Sequence, residues 1–198
     1  MTVADLRTCS LIDEFLPNPD FSAAYEVRIN APVSVVYERL LAVDVNALPM
    51  VRLLLSLRTG RRLRRHSAPC DFGQRFADTG FVILAEAPDE EVVIGGAGRF
   101  WRPDGGRSRE LKSGDFIAFS QAGSAKAAMN FRLRSNSPNR TRLSTETRIV
   151  CFGRAARWKF RLYWTVVGTS RRLGSGVIRK VILQHVRVEA ESVTGESF

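Results

Sequence analysis

Residues 154–167 read Arg-Ala-Ala-Arg-Trp-Lys-Phe-Arg-Leu-Tyr-Trp-Thr-Val-Val and open a helical pattern that continues to Ala190. Phe160, Tyr163, Trp164 and Val167 fall at i, i+3, i+4 and i+7, the spacing of one helical face. Ile178, Val181, Ile182 and His185 repeat it. Phe160 and Ile178 are 18 residues apart, a whole number of turns at 3.6 residues each, so both sets share a face. Between them that face carries Arg171 and Gly174-Ser175. Either one long helix has bulky ends and a small middle, or Gly168 and Gly174 end one helix before another begins. An interior glycine costs only about 1 kcal/mol, which leaves both readings open. A small middle on a core helix implies unfilled space, and space inside one domain implies a ligand.

Upstream of this helix the pattern has a period of two. In Arg140 to Phe152, Leu143, Thr145, Thr147 and Ile149 face one way, and Ser144, Glu146, Arg148 and Val150 the other. Asn136-Ser137-Pro138-Asn139 joins this strand to another, Ser124 to Arg134. Gly80 to Ala87 and Glu91 to Arg99 read as a hairpin turning at Pro88-Asp89. Its second member carries Gly95, Gly96 and Gly98, which mark a bulge, a bend or a close approach to the backbone. Asp115 to Ser120 is expected as a short strand, and Phe21 to Ile29 as the first strand.

Two short helices are expected after the first strand. Asn30-Ala31-Pro32 opens one with the stripe Val33, Val36, Tyr37, Leu40 and Leu41. Leu48-Pro49 opens the other, Met50 to Arg58, and Thr59-Gly60 stops it. The expected class is α+β, a curled antiparallel sheet gripping a long C-terminal helix. Residues 1–20 are read as an N-terminal leader, 21–191 as a single domain and 192–198 as a loose tail.

The 198 residues are 44% hydrophobic, enough for one domain with a real core. No run reaches the length of a membrane span and no apolar signal segment opens the chain, so a cytoplasmic protein is expected. The three cysteines, Cys9, Cys70 and Cys151, are scattered and odd in number, which fits a reducing compartment. His66 and His185 are far apart and no metal-ligand or cofactor motif is present, so neither metal nor cofactor is expected. The net charge is +10, and only four of the 30 basic residues are lysine. Nucleic-acid binding therefore rests on charge alone, without interleaved aromatics or a recognition helix.

The element order, with the particular words in it, resembles the START-like, polyketide-cyclase-like superfamily with its helix-grip fold, in an uncharacterised bacterial branch. Tyr25 onward, "YEVRINAPVSVVYERLLAVD", is similar to that superfamily's opening strand, Ala-Pro turn and first helix. "VIGGAGRFW" (Val93 to Trp101), "RTRLSTETRI" (Arg140 to Ile149) and "WKFRLYW" (Trp158 to Trp164) resemble the same branch. The superfamily includes lipid carriers, hormone receptors, cyclases and oxygenase subunits, so the resemblance implies a fold more than an activity. Its iron-binding members need a His/His/carboxylate cluster that two isolated histidines do not supply.

What the resemblance implies is a cavity between sheet and C-terminal helix. The expected lining is Phe81, Ile83, Gly96, Trp101, Met129, Phe131, Glu146, Arg148, Tyr163, Trp164 and Ile182. Small residues, Gly95-Gly96-Ala97-Gly98 with Ala125, Ala127 and Ala128, are read as leaving volume there. Glu146 and Arg148 share one strand face. Turned inward they orient a polar ligand head or supply an acid or base; turned outward they are a weak surface pair. His185 reads as a core or boundary histidine with no identifiable catalytic partner. Arg58, Arg61, Arg62, Arg64 and Arg65 follow a leucine-rich helix, and are either a solvated loop or a contact with anionic membrane near the cavity mouth. The expected function is binding, with or without transport, of a small hydrophobic or amphipathic ligand. The alternative is a cyclase-type enzyme using the same cavity, and a weaker one is nucleic-acid binding. No catalytic residue is identified.

Overall fold

A computed structural model describes residues 10–44, 48, 72, 80–102, 113–167 and 175–195. Among these, five strands form one curled antiparallel sheet: β1 (Phe21–Ile29), β2 (Val82–Ala87), β3 (Glu91–Gly98), β4 (Ala125–Ser137) and β5 (Arg140–Cys151). The spatial order is β1-β5-β4-β3-β2. The helices are a single turn α1 (Ile12–Phe15), α2 (Val33–Ala42), α3 (Ser113–Ala118), α4 (Arg154–Val167) and α5 (Ser175–Gly195). The fold is thus α+β, with the sheet and C-terminal helix that the periodicities indicate.

Two boundaries differ from expectation. Asp115 to Ala118 belongs to the helix α3 rather than to a strand. Phe116-Ile117-Ala118-Phe119 is a short apolar run, which periodicity cannot assign. As a helix it directs Phe116 alone into the core. Residues 192–195, read as tail, continue α5. The expected helix Met50 to Arg58, the basic run that follows it and the junction at Gly168 to Gly174 lie outside the described residues.

Period-two alternation divides the sheet into two faces, both covered. The inner face carries Val27, Ile29, Val92, Ile94, Phe131, Leu133 and Leu143, packed against Val36 and Leu40 of α2 and Ile182, Leu183 and Val186 of α5. Toward the other end of the same face, Ala125, Ala127, Ile149 and Cys151 lie beneath Ala156, Phe160 and Trp164 of α4. Phe160, 2% exposed, is the hub of an aromatic cluster. Its ring centroid lies 5.1 Å from Phe21, 5.5 Å from Tyr163, 5.7 Å from Trp164 and 6.4 Å from both Phe100 and Trp101. Such rings combine large buried area with edge-to-face attraction.

The outer face is covered by the leader and α3: Ile12, Phe15, Leu16 and Phe116 pack on Leu84, Val93 and Ala128. Here the residues are mixed, and the buried polar ones are paired. Glu91, 3% exposed, accepts hydrogen bonds from Ser10 Oγ (2.5 Å), Leu11 N (3.1 Å) and Asn130 Nδ2 (2.7 Å). Arg148 donates from Nε to Glu146 (2.8 Å) and from Nη1 to Asp13 (2.6 Å) and the Leu16 carbonyl (3.0 Å). These bonds hold the leader on the sheet, and the one to Glu146 is the main reason the guanidinium is held more firmly charged than usual.

Two consequences are measurable. Phe160→Ala is expected to destabilise by about 3–5 kcal/mol in denaturant titration, the usual cost of deleting a large buried aromatic. Arg148→Met should release the leader while the sheet stays folded, seen as faster cleavage by a nonspecific protease around residues 16–20. Equal cleavage of the two proteins would show that apolar packing alone holds the leader.

Candidate functional site

The interest of the inner face lies between its two helix-covered clusters. Strand register aligns Ala23, Thr147, Met129, Ile94 and Ile83 in one row across all five strands. Ile94 is fully buried, whereas Ala23, Thr147, Met129 and Ile83 are half-buried although they point inward from the sheet. On one side of the row lies the core under α2 and α5, on the other the aromatic cluster under α4. Phe81, also half-buried, touches both. The row is therefore a strip of inner sheet surface that neither packed cluster closes fully.

The next row holds Tyr25, Thr145, Phe131 and Val92. Thr145 is 1% exposed and its hydroxyl finds no hydrogen-bond partner. A buried hydroxyl without a partner costs about 1–3 kcal/mol relative to a satisfied one. Thr141, four residues earlier on the same strand, donates to the Ala31 carbonyl at 2.8 Å. At one edge, Tyr25 joins β1 to α5: Gln184 Nε2 donates to its hydroxyl at 3.5 Å, and the Lys180 ammonium lies 5.4 Å from the ring centroid.

The residues expected to line a cavity fall into four places. Ile83 and Met129 belong to the strip and Phe81 borders it, and Phe131 and Ile182 are fully buried in the core on one side. Trp101, Tyr163 and Trp164 belong to the aromatic cluster on the other side. Glu146 and Arg148 are a correction: they point to the outer face, because Thr145 and Thr147, which alternate with them, point inward. They bind the leader instead.

Gly95 and Gly96 are the second correction, since their lack of side chains does not leave a void. A Cβ on Gly95 would lie 2.4 Å from Leu84 Cδ1 and 2.9 Å from Phe116 Cε2, on the outer face. A Cβ on Gly96 would lie 2.5 Å from the Gly80 carbonyl oxygen. The glycines admit neighbours into contact. A register shift between Ile83 and Ala85 turns Leu84 onto Gly95. Ala127 faces inward and Ala128 outward.

His185 is half-buried on α5. Arg58, Arg61, Arg62, Arg64 and Arg65 lie outside the described residues. Thr145 and the hub residue Phe160 were not singled out as site residues, yet the alternation that faces Thr145 with Leu143 and Ile149 is visible in the sequence.

Cys151 is a buried thiol within the aromatic cluster. Burial pushes its pKa up to about 12, the Asp20 carboxylate adds to this, and Arg157 opposes it. Asp20 accepts from Cys151 N at 2.8 Å and from Arg157 Nη2 at 2.6 Å, so both its oxygens are engaged.

No family model matches the chain, and no curated protein matches it. Among solved structures the chain is similar to a hypothetical protein from Helicobacter pylori (10% identity, TM-score 0.45), covering 96% of this chain and 98% of that one. It is similar to a conserved protein from Geobacillus kaustophilus (10% identity, TM-score 0.36), covering 89% and 97%. It is also similar to the di-domain ARO/CYC protein BexL of the BE-7585A biosynthetic pathway (14% identity, TM-score 0.34), covering 90% of this chain and 53% of that one. None of these likenesses says what this chain binds or does.

The raised thiol pKa makes a sign-definite forecast. Below the ordinary value of 9.0 both folded and unfolded chains keep the Cys151 proton, and its contribution to stability is complete. Between about 9 and 12 only the unfolded chain loses it, so stability falls with pH at a slope approaching about 1.4 kcal/mol per unit. Denaturant titrations across that window should show the fall in the parent and a flatter profile in Cys151→Ala. Parallel profiles would mean that the folded thiol ionises normally.

Proposed function

We propose that the chain is a START-like, helix-grip protein that binds a small hydrophobic or amphipathic ligand along the strip between its two inner clusters. The observation that carries this reading is the half-buried row Ala23, Thr147, Met129 and Ile83, with Ile94 buried within it. Interior sheet positions normally close against a helix, and apolar ones left partly open gain by burying a ligand, at about 25 cal/mol per Å². The Thr145 hydroxyl, one row away, offers a polar anchor to a carbonyl, carboxyl or hydroxyl head. An aromatic wall on one side and an aliphatic one on the other suit an acyl, isoprenoid or polyketide-like body. The cyclase-type alternative shares this strip, but the Glu146 carboxylate it would have used as acid or base is engaged with Arg148 on the outer face.

The test is uptake of a fluorescent fatty acid and of an uncharged apolar dye. The parent should bind both. Ala127→Phe, which extends a ring from the row beside the strip, should stay folded with an overpacking cost of about 1–3 kcal/mol and lose both. Thr145→Val should keep the dye, weaken the fatty acid by roughly tenfold, and raise stability by about 1 kcal/mol by removing an unpaired hydroxyl. A parent that takes up neither probe, or an Ala127→Phe variant that binds as the parent does, would sink the proposal.

A further inference from the structure

The outward side of α4 carries two of the exposed large hydrophobic side chains among the described residues, and it sets them among cations. Ala156, Phe160 and Trp164 point into the aromatic cluster, and the opposite side presents Arg154, Trp158, Arg161 and Leu162. Trp158 is 67% exposed and Leu162 is 59% exposed. Four residues apart on one helix, they form a continuous apolar ridge. No other tryptophan of the chain is so placed: Trp101 is half-buried and Trp164 buried.

Cations flank the ridge on both sides, and α4 contains no acidic residue. One flank is an open groove of about 390 Å³ lined by Arg154, Arg157, Arg161, Trp158, Phe21 and Asp20. The other is a groove of about 400 Å³ with Lys159, Arg99, Arg102 and Trp101 in its wall. All six cations are exposed. Asp20, the one acid in these linings, is spoken for by Arg157 and the Cys151 amide.

We propose that this surface docks on an anionic phospholipid bilayer, with Trp158 and Leu162 entering the headgroup region and the flanking cations meeting lipid phosphates. A helix with an apolar outward ridge and basic flanks lies flat in such an interface, and tryptophan is favoured at that depth. The sequence offers Arg58, Arg61, Arg62, Arg64 and Arg65 as either a solvated loop or a membrane contact; the α4 surface is a different element and is independent of what the inner strip takes up. A nucleic acid would use the arginines and the indole but gains nothing from an outward leucine beside them. A second copy of this chain, paired symmetrically, would set Arg154, Lys159 and Arg161 against their own copies.

The experiment is co-sedimentation of the full chain with vesicles of phosphatidylcholine alone and of phosphatidylcholine mixed with phosphatidylglycerol. Binding should require phosphatidylglycerol and weaken with added salt. Tryptophan emission should shift to the blue on the mixed vesicles, and this shift should vanish in Trp158→Ala, which retains Trp101 and Trp164. Arg154→Ser and Arg161→Ser should each lower binding about fivefold. Leu162→Ala should lower it roughly tenfold. All four side chains are exposed, so thermal midpoints should match the parent's. Equal binding to both vesicle types, variants that bind as the parent does, or loss of binding on changing Arg61, Arg62, Arg64 and Arg65 but not α4, each overturns the proposal. So do retention on duplex DNA in place of vesicles, and self-association that Trp158→Ala abolishes.

Discussion

The alternation of the β4–β5 pair is the constraint on which the other features depend. These two long strands occupy the middle of the sheet, and neighbouring residues on them serve opposite surfaces. Leu143 and Phe131 build the core under α5, while Asn130, Glu146 and Arg148 face the leader. A slip of one residue would place the ionic cluster among apolar side chains and Leu143 against water. Register is therefore locked from both sides, by hydrophobic burial within and by paired charges without.

Covering the outer face has its own logic. Glu91 and Asn130 are buried on a sheet surface that lacks a long helix, and their hydrogen bonds are completed by Ser10 and Leu11. The leader thus acts as the missing layer. Its apolar residues fill the space above Val93 and Ala128, and Asp13 neutralises Arg148. Glu91 is buried and Arg148 nearly so, and leaving either charge unpaired is costly, so these partners favour one placement for a segment with a single helical turn.

The helix α4 serves two environments with one periodicity. Its inward residues, at Ala156, Phe160 and Trp164, assemble the aromatic cluster that closes one end of the inner face. Its outward residues leave a tryptophan and a leucine among arginines. The aromatic cluster anchors the helix through Ala156, Phe160 and Trp164, and an anchored helix presents its outward ridge at a lower ordering cost than a free one.

The sequence by itself determined the α+β class, the five strands of the sheet (with a sixth, Asp115 to Ser120, that is helical) and the two helical sets that share a face, because periods of 2 and 3.6 depend only on local backbone geometry. It also contained the split of β5 into Thr145 and Thr147 on one side and Glu146 and Arg148 on the other. Which of those sides faced the helices was a tertiary matter: an isolated strand has two equivalent faces, and only the docking of Ile12, Phe15 and Asp13 made one of them the leader's. The glycines show the same limit. Gly95 and Gly96 read as absent volume, whereas Leu84 from the paired strand, the Gly80 carbonyl just ahead of that strand, and Phe116 from α3 fill it. The run Phe116 to Phe119 was ambiguous for a related reason, since a few apolar residues fit either period and only packing chose the helix. A half-buried strip, finally, is a relation among strands and the helices α2, α4 and α5 packed on either side of it, and no local pattern can encode that relation.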